Sequence, residues 1–164
     1  MDATPLLTTV TQVAVTLATL SGVAGVLGPR SGSALDEATR VLLRDVAGVG
    51  LGVALFSFLP LVFVQATSDD ELTWRIFSGI AATYWITTAV LAARTMRSLR
   101  LMEQGTSKLV LLAPASTLVG VTLYAWNVLA PSSMSVSRYL GALTCHVAVA
   151  GILFVVAVFG RRGQ

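Results

Sequence analysis

Five long stretches of this chain carry no Asp, Glu, Lys or Arg. They run for 27 residues between Asp2 and Arg30, 23 between Asp45 and Asp69, 18 between Arg75 and Arg94, 29 between Lys108 and Arg138, and 22 between Arg138 and Arg161. A hydrocarbon layer ~30 Å thick is crossed by about 17–25 mostly apolar residues as helix, and every stretch meets that length. None shows the ~10-residue apolar–polar alternation of a membrane barrel. Backbone groups without partners are too costly in lipid for irregular structure, so the stretches read as helices. The pattern predicts an all-α, polytopic transmembrane bundle of about five membrane-spanning helices. Their expected limits are 5–27, 39–66, 73–97, 107–130 and 138–160, in a single transmembrane domain over 1–164. The connections at 67–72 and 131–137 are short, which makes consecutive helices antiparallel neighbours. Gly28 and Pro29 stop the first helix, and Ser33 caps a second that begins near Ala34 and projects from the membrane before its span at 39–66. Pro60 and Pro114 each delete a helical hydrogen bond and predict kinks.

Composition agrees with this pattern. The chain is 55% hydrophobic and 12% charged, against roughly 25% charged in soluble domains, which leaves too little polar surface to cover a soluble globule. Met1 to Pro29 holds no Lys or Arg. Its apolar run is also too long for a cleaved signal, so it reads as a retained first helix.

The charges then orient the helices. Nine of the eleven basic residues fall in loop one, loop three and the tail, leaving only Arg75 and Arg138 on the opposite side. Short loops rich in Lys and Arg stay in the cytoplasm. The N-terminus is therefore expected outside and the C-terminus in the cytoplasm of a multi-pass protein of the cell membrane, a bacterial-type inner membrane. The net charge of +3 belongs to these anchors and implies no nucleic acid. The expected partners are the lipid bilayer and either further copies of the chain or other membrane subunits.

Helices in lipid associate by close backbone approach at small residues and by hydrogen bonds between helices. Gly48 and Gly52 form a GxxxG in helix two, with Gly50 beside it. Ser116 and Gly120 in helix four, and Gly141 in helix five, supply further packing positions. In helix one Thr8, Gln12, Thr16 and Thr19 recur at i, i+4, i+8 and i+11, a single stripe. An uncharged polar stripe can line a water-filled path, bond neighbouring helices, or bond its own backbone. Thr83 and Thr87, flanking Tyr84 and Trp85, are expected to pack inward opposite that stripe. Asn127 and His146 complete the polar-path candidates. His146 is expected about a third of the way into helix five from its outer end. Asn127 is expected beside an aromatic belt made of Trp74, Tyr124, Trp126 and Tyr139. Arg44, Asp45, Arg94, Arg97 and Arg100 are expected to form a cytoplasmic charge network. Arg44 and Asp45 are adjacent, diverge by about 100° on a helix, and so call for separate partners.

Several chemistries are excluded at this level. One cysteine and one histidine rule out an intrachain disulfide and a thiol-rich or histidine-rich metal site within the chain. No P-loop, HExxH, GxSxG or CxxC occurs. No Asp, Glu, Lys or Arg sits at the centre of a stretch, which argues against a proton-coupled pump. The chain is accordingly expected to be no enzyme and to carry no cofactor or metal. The expected function is a small homo-oligomeric channel or pore for ions or small solutes. The alternative is a non-catalytic accessory or assembly subunit of a larger membrane complex.

Overall fold

The computed structural model describes residues 4–27, 37–66, 70–98, 112–130 and 132–159. They form five helices, α1 (Thr4–Leu27), α2 (Glu37–Ala66), α3 (Asp70–Ser98), α4 (Leu112–Leu129) and α5 (Ser135–Phe159). All five are long and apolar enough to cross a membrane. α3 and α5 start ahead of the expected 73 and 138. Acidic residues suit the first turn of α3 because the helix dipole favours them there. Before α5, serines close the turn: the Met134 N–H donates to Ser132 Oγ (3.2 Å) and the Ser132 N–H to Ser135 Oγ (3.1 Å). Pro114 lies near the start of the described α4, and the carbonyl four residues before it lies outside the described residues. Residues 107–111, Ser33 and Ala34 lie outside the described residues.

Named contacts make α2 and α3, α3 and α4, and α4 and α5 antiparallel. Phe63 meets Phe77 (5.1 Å between ring centroids) near the α2–α3 turn, while Gly52 faces Tyr84 further back. Asn127 bonds Ser78 across α4 and α3, and Ser135 at the start of α5. Among the described residues α5 is the hub and touches all four other helices, whereas α1 touches only α2 and α5. One apolar cluster gathers Leu7, Val53, Phe56, Trp74, Trp85, Tyr124 and Tyr139. The second lies toward the end of the bundle that carries Arg44 and Arg94, termed the basic end. It joins Leu42, Val46, Ala113, Val149 and Leu153 and takes nothing from α3. Among the described side chains, the last buried one on α3 is Trp85. Beyond it α3 runs along the bundle without entering the core.

Glycines set the closest approach between α1 and α2. A Cβ on Gly50 would lie 2.6 Å from the Ala14 carbonyl oxygen, and one on Gly52 would lie 3.0 Å from the Tyr84 ring. Gly48 departs from the GxxxG expectation: it is exposed, and a Cβ there would meet nothing within 4 Å. The helix turns Gly50, two positions on, toward α1 instead.

Pro60 stands inside α2 and offers no N–H to the carbonyl of Phe56, four residues earlier. The Tyr139 hydroxyl donates to that carbonyl at 2.7 Å, reaching across from α5. A similar repair ends α4. Arg75 Nε donates to the Val128 carbonyl (3.0 Å) and Arg138 Nη1 to the Ala130 carbonyl (2.7 Å), and a cation is favoured at a helix C-terminus. These are the two basic residues that stand apart from the other nine, and the carbonyls they hold account for their position. The Arg138 guanidinium also lies 4.8 Å above the Trp126 ring. Tyr139→Phe keeps the ring and removes the donor. It is expected to lower stability by about 1 kcal/mol, read as an earlier unfolding transition in detergent.

Candidate functional site

The polar stripe of α1 points away from the rest of the bundle. Ala14 is buried against α2. Gln12 and Thr16, two positions to either side, fall on the opposite face because each residue turns the helix by about 100°. Thr8, Gln12, Thr16 and Thr19 are all exposed. The three threonine hydroxyls donate to carbonyls of their own helix, at Thr4, Gln12 and Val15 (2.8 Å each). The amide of Gln12 takes no partner among the described residues. Among the described residues the stripe therefore lines nothing within this chain. Thr83 and Thr87 are likewise exposed, with hydroxyls donated to Gly79 and Thr83, and α3 does not touch α1. The expected inward packing of this pair against the stripe is thus corrected. The i→i+4 spacing tells which residues share a face, and Trp85, not its threonine neighbours, occupies the inner one.

The interior holds a different polar group. His146 lies near the middle of α5, deeper than the expected third, and is buried. Its ring stacks on Trp85 of α3 (4.0 Å, 21° between planes) and lies nearly parallel to Tyr124 of α4 (5.9 Å, 24°). Tyr124 and Tyr139 meet edge to face at 5.3 Å, and Tyr139 continues to Trp74 at 5.3 Å. His146 Nδ1 is 2.7 Å from the Ala142 carbonyl oxygen. A carbonyl oxygen only accepts, so Nδ1 carries the proton and Nε2 keeps a lone pair. Gly120 makes room for the imidazole, since a Cβ there would stand 2.5 Å from His146 Cε1. Gly141 lies against Leu123, with a Cβ contact of 3.4 Å, and Ser116 is half-buried on α4.

The belt expectation needs correction at the same level. Trp126 is on the surface, but Trp74, Tyr124 and Tyr139 are buried and pack together. Asn127 is fully buried, and its Nδ2 donates to Ser78 Oγ (3.2 Å) and to the Ser135 carbonyl (2.7 Å). It ties three helices together. Hydropathy pattern alone cannot separate these residues from a belt, because amphipathic rings near helix ends suit both places. Depth counted from the helix ends does not align Trp85, Tyr124 and His146, so no sequence signal groups these three rings.

At the basic end Arg44 Nη2 and Asp45 Oδ1 are 3.7 Å apart, so these neighbours pair with each other, loosely, rather than with separate partners. Asp45 Oδ2 is shielded and has no hydrogen-bond partner. Asp45, Gly48 and Gly52 stand at i, i+3 and i+7 on the face of α2 that meets α3. The two helices touch at Gly52 and leave Gly48 open, so they part toward the basic end. Arg94 is exposed. The side chain of Arg97 and all of Arg100 lie outside the described residues. Among the described residues no three His, Cys, Asp or Glu gather as a metal site.

Gly120→Ala is expected to destabilise by about 1–3 kcal/mol, because the added methyl must displace a packed ring. Gly48→Ala, in open space, is expected to be neutral within about 0.5 kcal/mol. Unfolding of both variants in detergent measures the difference.

Compared with protein-family models, curated proteins and solved structures, the chain shows no match, so its function has to be read from its own chemistry.

Proposed function

We propose that this chain is a multi-pass protein of the cell membrane whose basic end faces the cytoplasm, and that it assembles with further copies of itself into a small channel. The copies meet through α1, and the central path is lined by Thr8, Gln12, Thr16 and Thr19. The observation that supports this is the exposed, unpartnered amide of Gln12, about 12 Å along α1 from Thr4 at 1.5 Å per residue. An amide facing hydrocarbon at that depth loses its hydrogen bonds with water and gains none. A second copy removes the penalty, because a carboxamide both donates and accepts and so pairs with its own symmetry mate. Around it the threonines leave an uncharged wall suited to ions or small neutral solutes. No fixed charge on this face selects for sign.

The accessory-subunit reading draws on a separate observation. The stripe's hydroxyls are already bonded to their own helix. Only Gln12 then asks for a partner, and a different membrane subunit could supply one.

Cross-linking separates the two readings, and the single cysteine, Cys145, makes it clean. In a Cys145→Ala background, Gln12→Cys is expected to give covalent dimers of the chain in native membranes. Purified protein is expected to run as a discrete oligomer and to support flux in liposomes. Gln12→Leu with Thr16→Leu is expected to cut that flux about tenfold, the equivalent of about 1.4 kcal/mol of lost hydrogen bonding along the path. A monomer without flux that copurifies with another membrane protein supports the accessory role instead.

A further inference from the structure

Three polar atoms in the middle of the bundle are shielded from solvent and reach no hydrogen-bond partner: Trp85 Nε1, Tyr124 Oη and His146 Nε2. They belong to one group of touching rings on α3, α4 and α5. Their capacities are complementary. The indole N–H only donates, the imidazole Nε2 with the proton on Nδ1 only accepts, and the phenol does both.

The stacking keeps them from satisfying one another. The indole and imidazole planes are 21° apart with centroids at 4.0 Å. An N–H and a lone pair each lie in the plane of their own ring, so in stacked rings they run side by side instead of pointing at each other. Tyr124 lies at 24° to the imidazole and has the same difficulty. The Trp85 indole and the Tyr124 hydroxyl approach each other, yet neither polar atom reaches hydrogen-bond geometry. Three neutral polar groups left bare in a low-dielectric interior are a heavy penalty, and a native bundle removes such penalties with a partner.

We propose that a water molecule is bound here inside each chain, accepting from Trp85 Nε1, donating to His146 Nε2 and bonding the Tyr124 hydroxyl. Three polar partners are the usual number for a buried water. A route of entry lies between α2 and α3. These helices part at Gly48 and close where Gly52 meets Tyr84 and Trp85. Asp45, whose Oδ2 also has no hydrogen-bond partner, stands at the wider end. The site is built from one chain and does not depend on how copies assemble through α1.

His146 is the sole histidine, so selective ¹⁵N-histidine labelling gives a single imidazole. Solid-state NMR of the protein in liposomes reads both ring nitrogens. The expected result is a protonated Nδ1, an unprotonated Nε2 at the frequency of a hydrogen-bond acceptor, and rapid magnetisation transfer from water to Nε2. Trp85→Phe and Tyr124→Phe are each expected to slow that transfer severalfold and to move the Nε2 resonance toward a bare imine nitrogen. The wild-type spectrum alone decides if the variants do not fold. An Nε2 without transfer from water overturns the proposal, as does one bonded directly to the indole or phenol, or one that carries the proton.

Discussion

A buried backbone carbonyl that loses its helical donor has to find another donor within the protein. Pro60 creates that situation at Phe56, and the Tyr139 hydroxyl resolves it from the neighbouring helix. The bond fixes more than one carbonyl. It sets the height of α5 against α2, and from that height follow the contacts of Tyr139 with Tyr124 and Trp74 and the position of His146 two turns further on. The end of α4 obeys the same constraint. Its last carbonyls would face lipid or water unpaired without Arg75 and Arg138, and these two cations come from α3 and α5. Local defects in one helix are thus closed by side chains of its neighbours, and each closure acts as a registration mark between helices.

Packing around α5 follows from where the side chains are small. Gly120 lets α4 accept the His146 ring, and Gly50 and Gly52 let α2 accept α1 on one side and α3 on the other. α3 is the loosest member. It contributes aromatic rings to the half of the core away from the basic end and nothing to the other cluster. Elements with few buried contacts are the first to open. The parting of α2 and α3 below Gly52 puts the least constrained part of the described fold beside Asp45, the carboxylate with a bare oxygen.

The number of helices and their alternating direction were legible in the spacing of the charges, because hydrocarbon tolerates almost none of them over some 20 residues. Arg75 and Arg138 looked like exceptions to the charge asymmetry until the carbonyls they hold were in view. The stripe of α1 was legible as a stripe, but its direction was not. Periodicity relates residues to their own helix axis and says nothing of which neighbour lies on which side. In water an outward polar face and an inward apolar one would have settled the matter. In a chain this apolar both faces of a helix carry Leu and Val, so these lose their value as pointers inward. Gly48 and Gly50 show the same limit at one position: each fits a small-residue pattern, and only the arrangement of α1 decides which is used.

What remains polar in this chain falls on two surfaces that behave differently. On the outer face of α1 the hydroxyls bond backward to their own helix, a local solution that any threonine in a helix can find without a neighbour. Among the stacked rings no such local solution exists. The His146 Nδ1 proton uses the Ala142 carbonyl, and nothing within one turn can serve Nε2. Flat stacking brings the rings into close contact with their polar edges side by side, so that none points at another. The closer the rings pack, the more firmly direct hydrogen bonds between them are ruled out, so the same packing that holds α3, α4 and α5 together also leaves room in the hydrogen-bond pattern for a small guest.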